Sequence, residues 1–136
     1  MKQNLSKALK LQVAIRANWR CEYCLLPEKA LYYPFHIDHI KSIKHGGLNL
    51  IWNLAFCCPD CNYHKGTDIG SLSNDDAYFI RFFNPRKDIW DSHFEISDGC
   101  FYGLTEIGEI TIKILKLNNI DRLIFRKQLI DIGQYF

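Results

Sequence analysis

The chain has 136 residues, 48% hydrophobic and 24% charged, as expected of one soluble globular domain with a modest core and a small appendage at most. No apolar run approaches the ~18 residues of a membrane-spanning helix, so a transmembrane protein is not expected. Net charge is only +2 but unevenly spread. Through Thr67 there are nine Lys and Arg against four Asp and Glu, and from Asp68 eight against eleven. A polyanion is drawn to the first half.

The opening residues, Met1-Lys2-Gln3-Asn4-Leu5-Ser6-Lys7, lack the apolar core and cleavage site of a signal peptide, so a cytoplasmic location is expected. From Lys7 to Asn18 the pattern predicts a helix, with Leu5, Leu9, Val13 and Ala17 at helical spacing and Lys7, Lys10 and Arg16 on the other side. Cys21 and Cys24 follow, then an irregular stretch bracketed by Pro27 and Pro34. Phe35 to Ile40 alternates as a strand, Gly46-Gly47 marks a turn or open loop, and Asn53 to Cys57 reads as a second strand able to pair antiparallel with the first. A short helix is expected around Asn62 to Lys65, which makes the local order strand, strand, helix.

Beyond Gly70, Ser73-Asn74-Asp75-Asp76 resembles a set of helix caps ahead of Tyr78 to Phe83, with Pro85 as the stop, and predicts a helix there. Phe94-Glu95-Ile96 and Phe101-Tyr102 predict a hairpin around Asp98-Gly99. Thr105 is placed to cap a helix carrying Ile107, Ile110, Ile114 and Leu117, and a last helix is expected from Asp121 toward Ile132. There is no repeat, low-complexity tract or clear linker.

Six cysteines in a reducing compartment point to metal ligation rather than disulfides. Cys21 and Cys24 form one CxxC pair, Cys58 and Cys61 another, and Cys57 and Cys100 are left over. Two facing CxxC turns offer four thiolates in a tetrahedron, which suits structural zinc. The 33 residues between Cys24 and Cys58 exceed what a minimal zinc ribbon needs, so something is inserted between the knuckles.

That insert carries His36, Asp38, His39 and Asn53, with Asn62 and His64 just past the last cysteine. The series His-Ile-Asp-His-Ile, Gly-Gly, Asn-Leu and Cys-Pro-Asp-Cys-Asn-Tyr-His-Lys-Gly, from about Cys21 to Gly66, resembles the HNH endonuclease family. The resemblance implies a ββα-metal fold, a two-stranded ribbon and a helix clasping one divalent ion. It implies His39 as general base, since a neutral imidazole takes a proton from water near pH 7. It implies Asp38 and Asn62 as ligands of the catalytic ion, and Asn53 as the brace of the loop that orients His39. Oxygen ligands suit Mg2+ or Mn2+. His36, on the strand face of Asp38, is an optional extra ligand that would favour Ni2+ or Zn2+, and His64 is a ligand, a phosphate contact or neither. On an ideal strand Asp38 and His39 point to opposite faces, so the ribbon must twist or the ion must sit at its edge. Lys41, Lys44 and Lys65 flank these residues as DNA-contact candidates, or else form a solvated basic face. His45 and His93 read as ordinary core or surface residues.

Asn84-Pro85-Arg86-Lys87, Trp90, His93-Phe94, Gly103 to Gly108 and Leu117-Asn118 resemble the region after the HNH module in small stand-alone bacterial HNH proteins. Its apolar faces are expected to serve packing or homodimerisation, and Arg86 and Lys87 are secondary DNA-contact candidates. The expected protein is α+β: a ββα-metal module stapled by four cysteines over residues 1–70, and a hairpin-plus-helices extension over 71–136 packed on it. The implied activity is metal-dependent hydrolysis of DNA, leaving a 5′-phosphate and a 3′-hydroxyl. A non-catalytic zinc-dependent DNA-binding module and an RNA-directed nuclease are the competing readings.

Overall fold

The computed structural model describes residues 5–136. The signal-peptide reading rests largely on residues 1–4, which lie outside the described residues. Helix α1 (Lys7–Arg16) starts where the Ser6 hydroxyl accepts a bond from Leu9 N at 3.1 Å, and it buries Val13 and Ala14. It stops as the chain enters the left-handed region at Asn18 and Trp19 (φ 54° and 57°), which turns it into the first knuckle. Arg16, at the end of α1, donates to the carbonyls of Ile51 and Leu54 and ties the helix to the ribbon.

The ribbon pairs β1 (His36–His39) antiparallel with β2 (Leu54–Cys57), setting His36 opposite Cys57 and Asp38 opposite Ala55. All four β2 residues are buried, as their apolar run requires. Helix α2 (Pro59–Lys65) follows at once. Cys58 is its N-cap, its sulfur accepting from Cys61 N, and Pro59 occupies the first turn, where no amide donor is needed. The order strand, strand, helix is the one the sequence predicts.

The predicted helix over Ser73 to Phe83 is not formed. Strands β3 (Gly70–Leu72) and β4 (Phe79–Arg81) make a hairpin there instead. The Ser73 hydroxyl does accept from backbone amides, Ala77 N at 3.1 Å and Tyr78 N at 3.2 Å, but it closes a turn in which Asp76 adopts φ 61°, a conformation a helix cannot continue through. The extended exit sends Phe82 and Phe83 into the core, and Phe83 N bonds the Thr111 hydroxyl at 2.9 Å.

A short helix α3 (Trp90–His93), absent from the sequence expectations, leads into β5 (Phe94–Ser97) and β6 (Cys100–Gly103). Their turn at Asp98-Gly99 has φ 53° and 81°, the positive pair of a two-residue hairpin. Helix α4 (Glu106–Ile114) is capped by Thr105, whose hydroxyl accepts from Gly108 N at 3.1 Å, and α5 (Ile120–Asp131) ends the chain's regular structure.

One apolar cluster runs through both halves of the chain, from Val13, Tyr23 and Phe56 to Phe83, Phe94, Phe101 and Leu117. Trp90, Phe94 and Phe101 pack edge-on or tilted at 5.2–5.9 Å, and the Trp90 indole N–H donates to Tyr23 O at 2.9 Å, so the second half covers the first knuckle. Among the described residues no helix is long and apolar enough to cross a membrane.

The loop between β1 and β2 folds back so tightly that Gly47 N bonds Ser42 O, and a Cβ on Gly47 would lie 1.7 Å from Lys41 O. Gly47→Ala must therefore open this loop. A loss of about 1–3 kcal/mol in urea unfolding is expected, the usual cost of overpacking, with metal content at the cysteines unchanged.

Candidate metal and catalytic site

The sulfurs of Cys21, Cys24, Cys58 and Cys61 all lie within 4.8 Å of one another, and all four residues are buried free thiols. Cys24 and Cys58 sulfurs are 3.7 Å apart. A tetrahedron with Zn–S of ~2.3 Å requires ~3.8 Å between sulfurs, so the set fits zinc. Each knuckle turns an amide onto its first sulfur, Cys24 N on Cys21 at 3.5 Å and Cys61 N on Cys58 at 3.4 Å. Cys57 is a buried strand residue, and Cys100 is half-buried with its sulfur on Phe101 O.

Beyond the cluster, β1 and α2 enclose a hollow of about 350 Å³ lined by Asp38, His39, Asn62 and Lys44 among others. Asp38 is 4% exposed and Lys65 only 1%. The Lys65 ammonium lies 3.2 Å from both carboxylate oxygens and also donates to the carbonyls of His39 (3.0 Å) and Ile40 (3.3 Å). The Tyr23 hydroxyl donates to Asp38 Oδ2 at 2.7 Å. Burial pushes the Asp38 carboxyl above its ordinary value, while the Lys65 charge and the Tyr23 hydrogen bond oppose the rise. Burial also drives the Tyr23 hydroxyl well up, helped by the Asp38 charge, so this tyrosine stays a neutral donor.

His39 is half-exposed, and its Nε2 lies 2.6 Å from Asn49 Oδ1. Because that oxygen is an acceptor, Nε2 is the donor of the pair. Asn53 is buried and fastens the loop. Its amide oxygen accepts from Lys41 N at 2.9 Å, its amide nitrogen donates to the carbonyls of Lys41 (3.0 Å) and Leu48 (2.9 Å), and its own carbonyl receives Ile40 N.

The hollow thus brings together Asp38, His39, Asn62 and, among the lysine candidates, Lys44. Asp38 and His39 do reach one space although they alternate along the strand, because the hollow sits where β1 ends. His36 is exposed and does not line it. His64 lies two residues past Asn62, roughly 200° around the helix. It lines a separate hollow with Asp60, Arg122 and Phe125, its ring against Tyr63 at 5.2 Å. Lys65 is corrected from a surface phosphate contact to a buried partner of Asp38. Lys41, Lys44 and Lys87 are exposed, whereas Arg86 is half-buried on Glu22. His45 is exposed, and His93 packs on Phe83 with Nδ1 2.6 Å from the Thr105 hydroxyl.

Sequence reasoning missed Tyr23, Asn49 and Arg122, and gave Lys65 another role. Lys65 follows Asn62 by three positions, a spacing that puts both on one helix face, and this was a usable signal for its true role. Tyr23 sits inside a CxxC turn, where a buried hydroxyl needs a partner. Asn49 had only its place after Gly46-Gly47 to mark it. Arg122 had no local signal. It comes from α5, and its Nη2 donates to Cys61 Sγ at 3.1 Å. Burial alone would lower the Arg122 guanidinium, but the thiolates of Cys61, Cys24 and Cys58 outweigh it and hold it above its ordinary value.

Residues 21–68, which hold the ribbon, α2 and the four-cysteine cluster, match the family of HNH endonucleases. That match covers about a third of the chain. Over 126 residues the chain is 29% identical to the Septu protein PtuB of Bacillus thuringiensis, an alignment that takes in 90% of this chain and 46% of that protein. The chain therefore spans less than half the length of this relative. No solved structure matches it significantly.

Two substitutions probe this geometry. Lys65→Met leaves the Asp38 carboxylate buried and unpaired, and should cost roughly 3–5 kcal/mol in urea unfolding; adding Asp38→Asn should recover part of that loss, and simple additivity would mean the pair is not coupled. Cys58→Ser should remove zinc, measured by elemental analysis, and solubility with it; a variant that keeps its zinc would remove Cys58 from the ligand set, and a soluble, stable, zinc-free one would deny the metal a structural role.

Proposed function

We propose that the protein is an HNH endonuclease that hydrolyses phosphodiester bonds in DNA, with a structural zinc at the four cysteines and one divalent ion at Asp38 and Asn62. The observation that supports it most is the convergence of Asp38, His39 and Asn62 on one hollow. A lone imidazole on a strand has many uses. An imidazole held by its Nε2, beside a carboxylate and an amide in a solvent-open hollow, has the parts that activating a water and handling a phosphate require.

His39 takes the proton of the attacking water at Nδ1, and Asn49 holds the ring by its Nε2–H. Asn53 keeps the loop that carries Asn49 folded against β1, so it acts on His39 through the backbone. Lys65 and Tyr23 hold the Asp38 carboxylate in place, Lys65 at both oxygens and Tyr23 at Oδ2. The oxygens of Asp38 and Asn62 would hold Mg2+ or Mn2+, and the bound ion would supply positive charge against the charge that builds on the phosphate and the leaving oxygen. With only two protein ligands, the site leaves room for water and phosphate oxygens, as Mg2+ prefers. Lys44 on the rim and Lys41 beside it, both exposed, attract the flanking phosphates.

Plasmid nicking by the purified protein tests this, with Mg2+, Mn2+, Ni2+ or EDTA and with His39→Ala in parallel. Metal-dependent cleavage is expected, falling on the order of 100-fold or more in the mutant while folding and zinc content hold. Full activity in the mutant would remove His39 from its role. Cleavage of RNA but not DNA would reassign the substrate, and DNA binding without cleavage under any ion would make the protein a binding module.

A further inference from the structure

We propose that Arg122 of α5 is an outer partner of the four-cysteine site, a positioning residue that holds the thiolates of the second knuckle and slows metal release. The inference rests on the reading of the four cysteines as a zinc site.

Four thiolates around one dication leave a net charge of about −2 in a fully buried place. The knuckle amides offset part of it with neutral donors on Cys21 and Cys58. Arg122 brings a full positive charge. Its Nη2 lies 3.1 Å from Cys61 Sγ and 3.8 Å from Cys58 Sγ, and its side chain is 10% exposed. Among the described residues it is the cation whose hydrogen bonds reach the cluster.

The guanidinium is itself held. Nη1 donates to Leu115 O at 2.7 Å, and Nε lies 3.8 Å from Asp60 Oδ2 on the first turn of α2. The fork therefore meets the sulfurs in one orientation, which a flexible ammonium does not reproduce. On the other knuckle the Tyr135 hydroxyl donates to Cys24 O, so the C-terminal segment grips both turns. The charge-assisted hydrogen bonds from this fixed fork hold both sulfurs of the second knuckle in the positions the metal needs, so a sulfur that lets go of the metal stays beside it and metal loss slows.

The test uses the full chain. Zinc is first counted by elemental analysis, then its transfer to an excess of chromophoric chelator is timed for wild type, Arg122→Met and Arg122→Lys. Loss of an outer partner of a metal ligand typically costs roughly 10–100-fold in metal affinity, and a comparable rise in release rate is expected for Arg122→Met, with a smaller rise for Arg122→Lys. Cobalt-substituted protein provides a second readout: the thiolate-to-cobalt bands should shift in Arg122→Met. Phe101→Leu, which disturbs the core without touching a sulfur of the cluster, controls for general loss of stability. Wild-type release and unchanged cobalt bands in Arg122→Met overturn the proposal. So does faster release that Phe101→Leu matches at equal stability with unshifted bands. If Arg122→Met is insoluble, Arg122→Lys decides on the same two readouts. Zinc-free wild type would overturn the zinc reading and this proposal together, whereas zinc-loaded wild type with unchanged release in the variants overturns only the proposal.

Discussion

Four sulfurs drawn within 4.8 Å of one another from two turns far apart in the chain are the constraint on which the rest depends. Bringing Cys21-Cys24 to Cys58-Cys61 closes the 33 residues between the pairs into one loop, and all of β1 and β2 lies inside it. A small core does not easily offset the entropy of that closure. A structural zinc contributes about 10–16 kcal/mol in apparent terms, enough to hold a segment rich in loops. The cluster also sets where α2 begins. Cys58 caps the helix and Cys61 lies in its first turn, so the cluster sets the direction in which α2 carries Asn62 and Lys65.

A second constraint follows from the first. With α2 fixed at its start, Lys65 at its end reaches Asp38 and two carbonyls at the end of β1. A carboxylate and an ammonium this buried are costly to bring out of water and do not by themselves argue for stability. What they provide is registry. The pair fixes the spacing of ribbon and helix, and the hollow between them is lined by the same Asp38 together with His39 and Asn62. The loop between the strands is held independently by Asn53, so the His39 imidazole and the Asp38 carboxylate are positioned by different parts of the chain.

The second half of the chain carries no residue of that hollow, yet it shares the core and closes over both knuckles. Trp90 bonds the backbone of Tyr23, Arg86 pairs with Glu22 and Tyr135 bonds the carbonyl of Cys24. These contacts surround the residue, Tyr23, that bonds Asp38. The helices and hairpins after Gly70 thus act on the site through what they press against.

Much of the protein was legible in its sequence because the signals are local. Two CxxC turns declare a cluster by spacing, alternation declares β1, and the order strand, strand, helix follows from the residues between. Thr105 as a cap and Asp98-Gly99 as a hairpin turn are likewise written in a few adjacent residues, and both hold. The Ser73 segment failed for the opposite reason. The same side chain caps a helix or closes a turn, and the burial of Phe82 and Phe83 against distant residues decided between them. Burial also decided the fate of Lys65, since a lysine reads as surface until a buried carboxylate is known to face it. His36 and His64 were candidates by type, but His36 does not line the hollow and the turn of α2 carries His64 away from it. Arg122 lies 61 residues from the sulfur it bonds, so no pattern in the sequence marks it. Spacing along the chain determined which residue types are available for metal and phosphate chemistry. Which of them meet was decided by packing, because a side chain's partner is set by what is desolvated beside it and not by what precedes it.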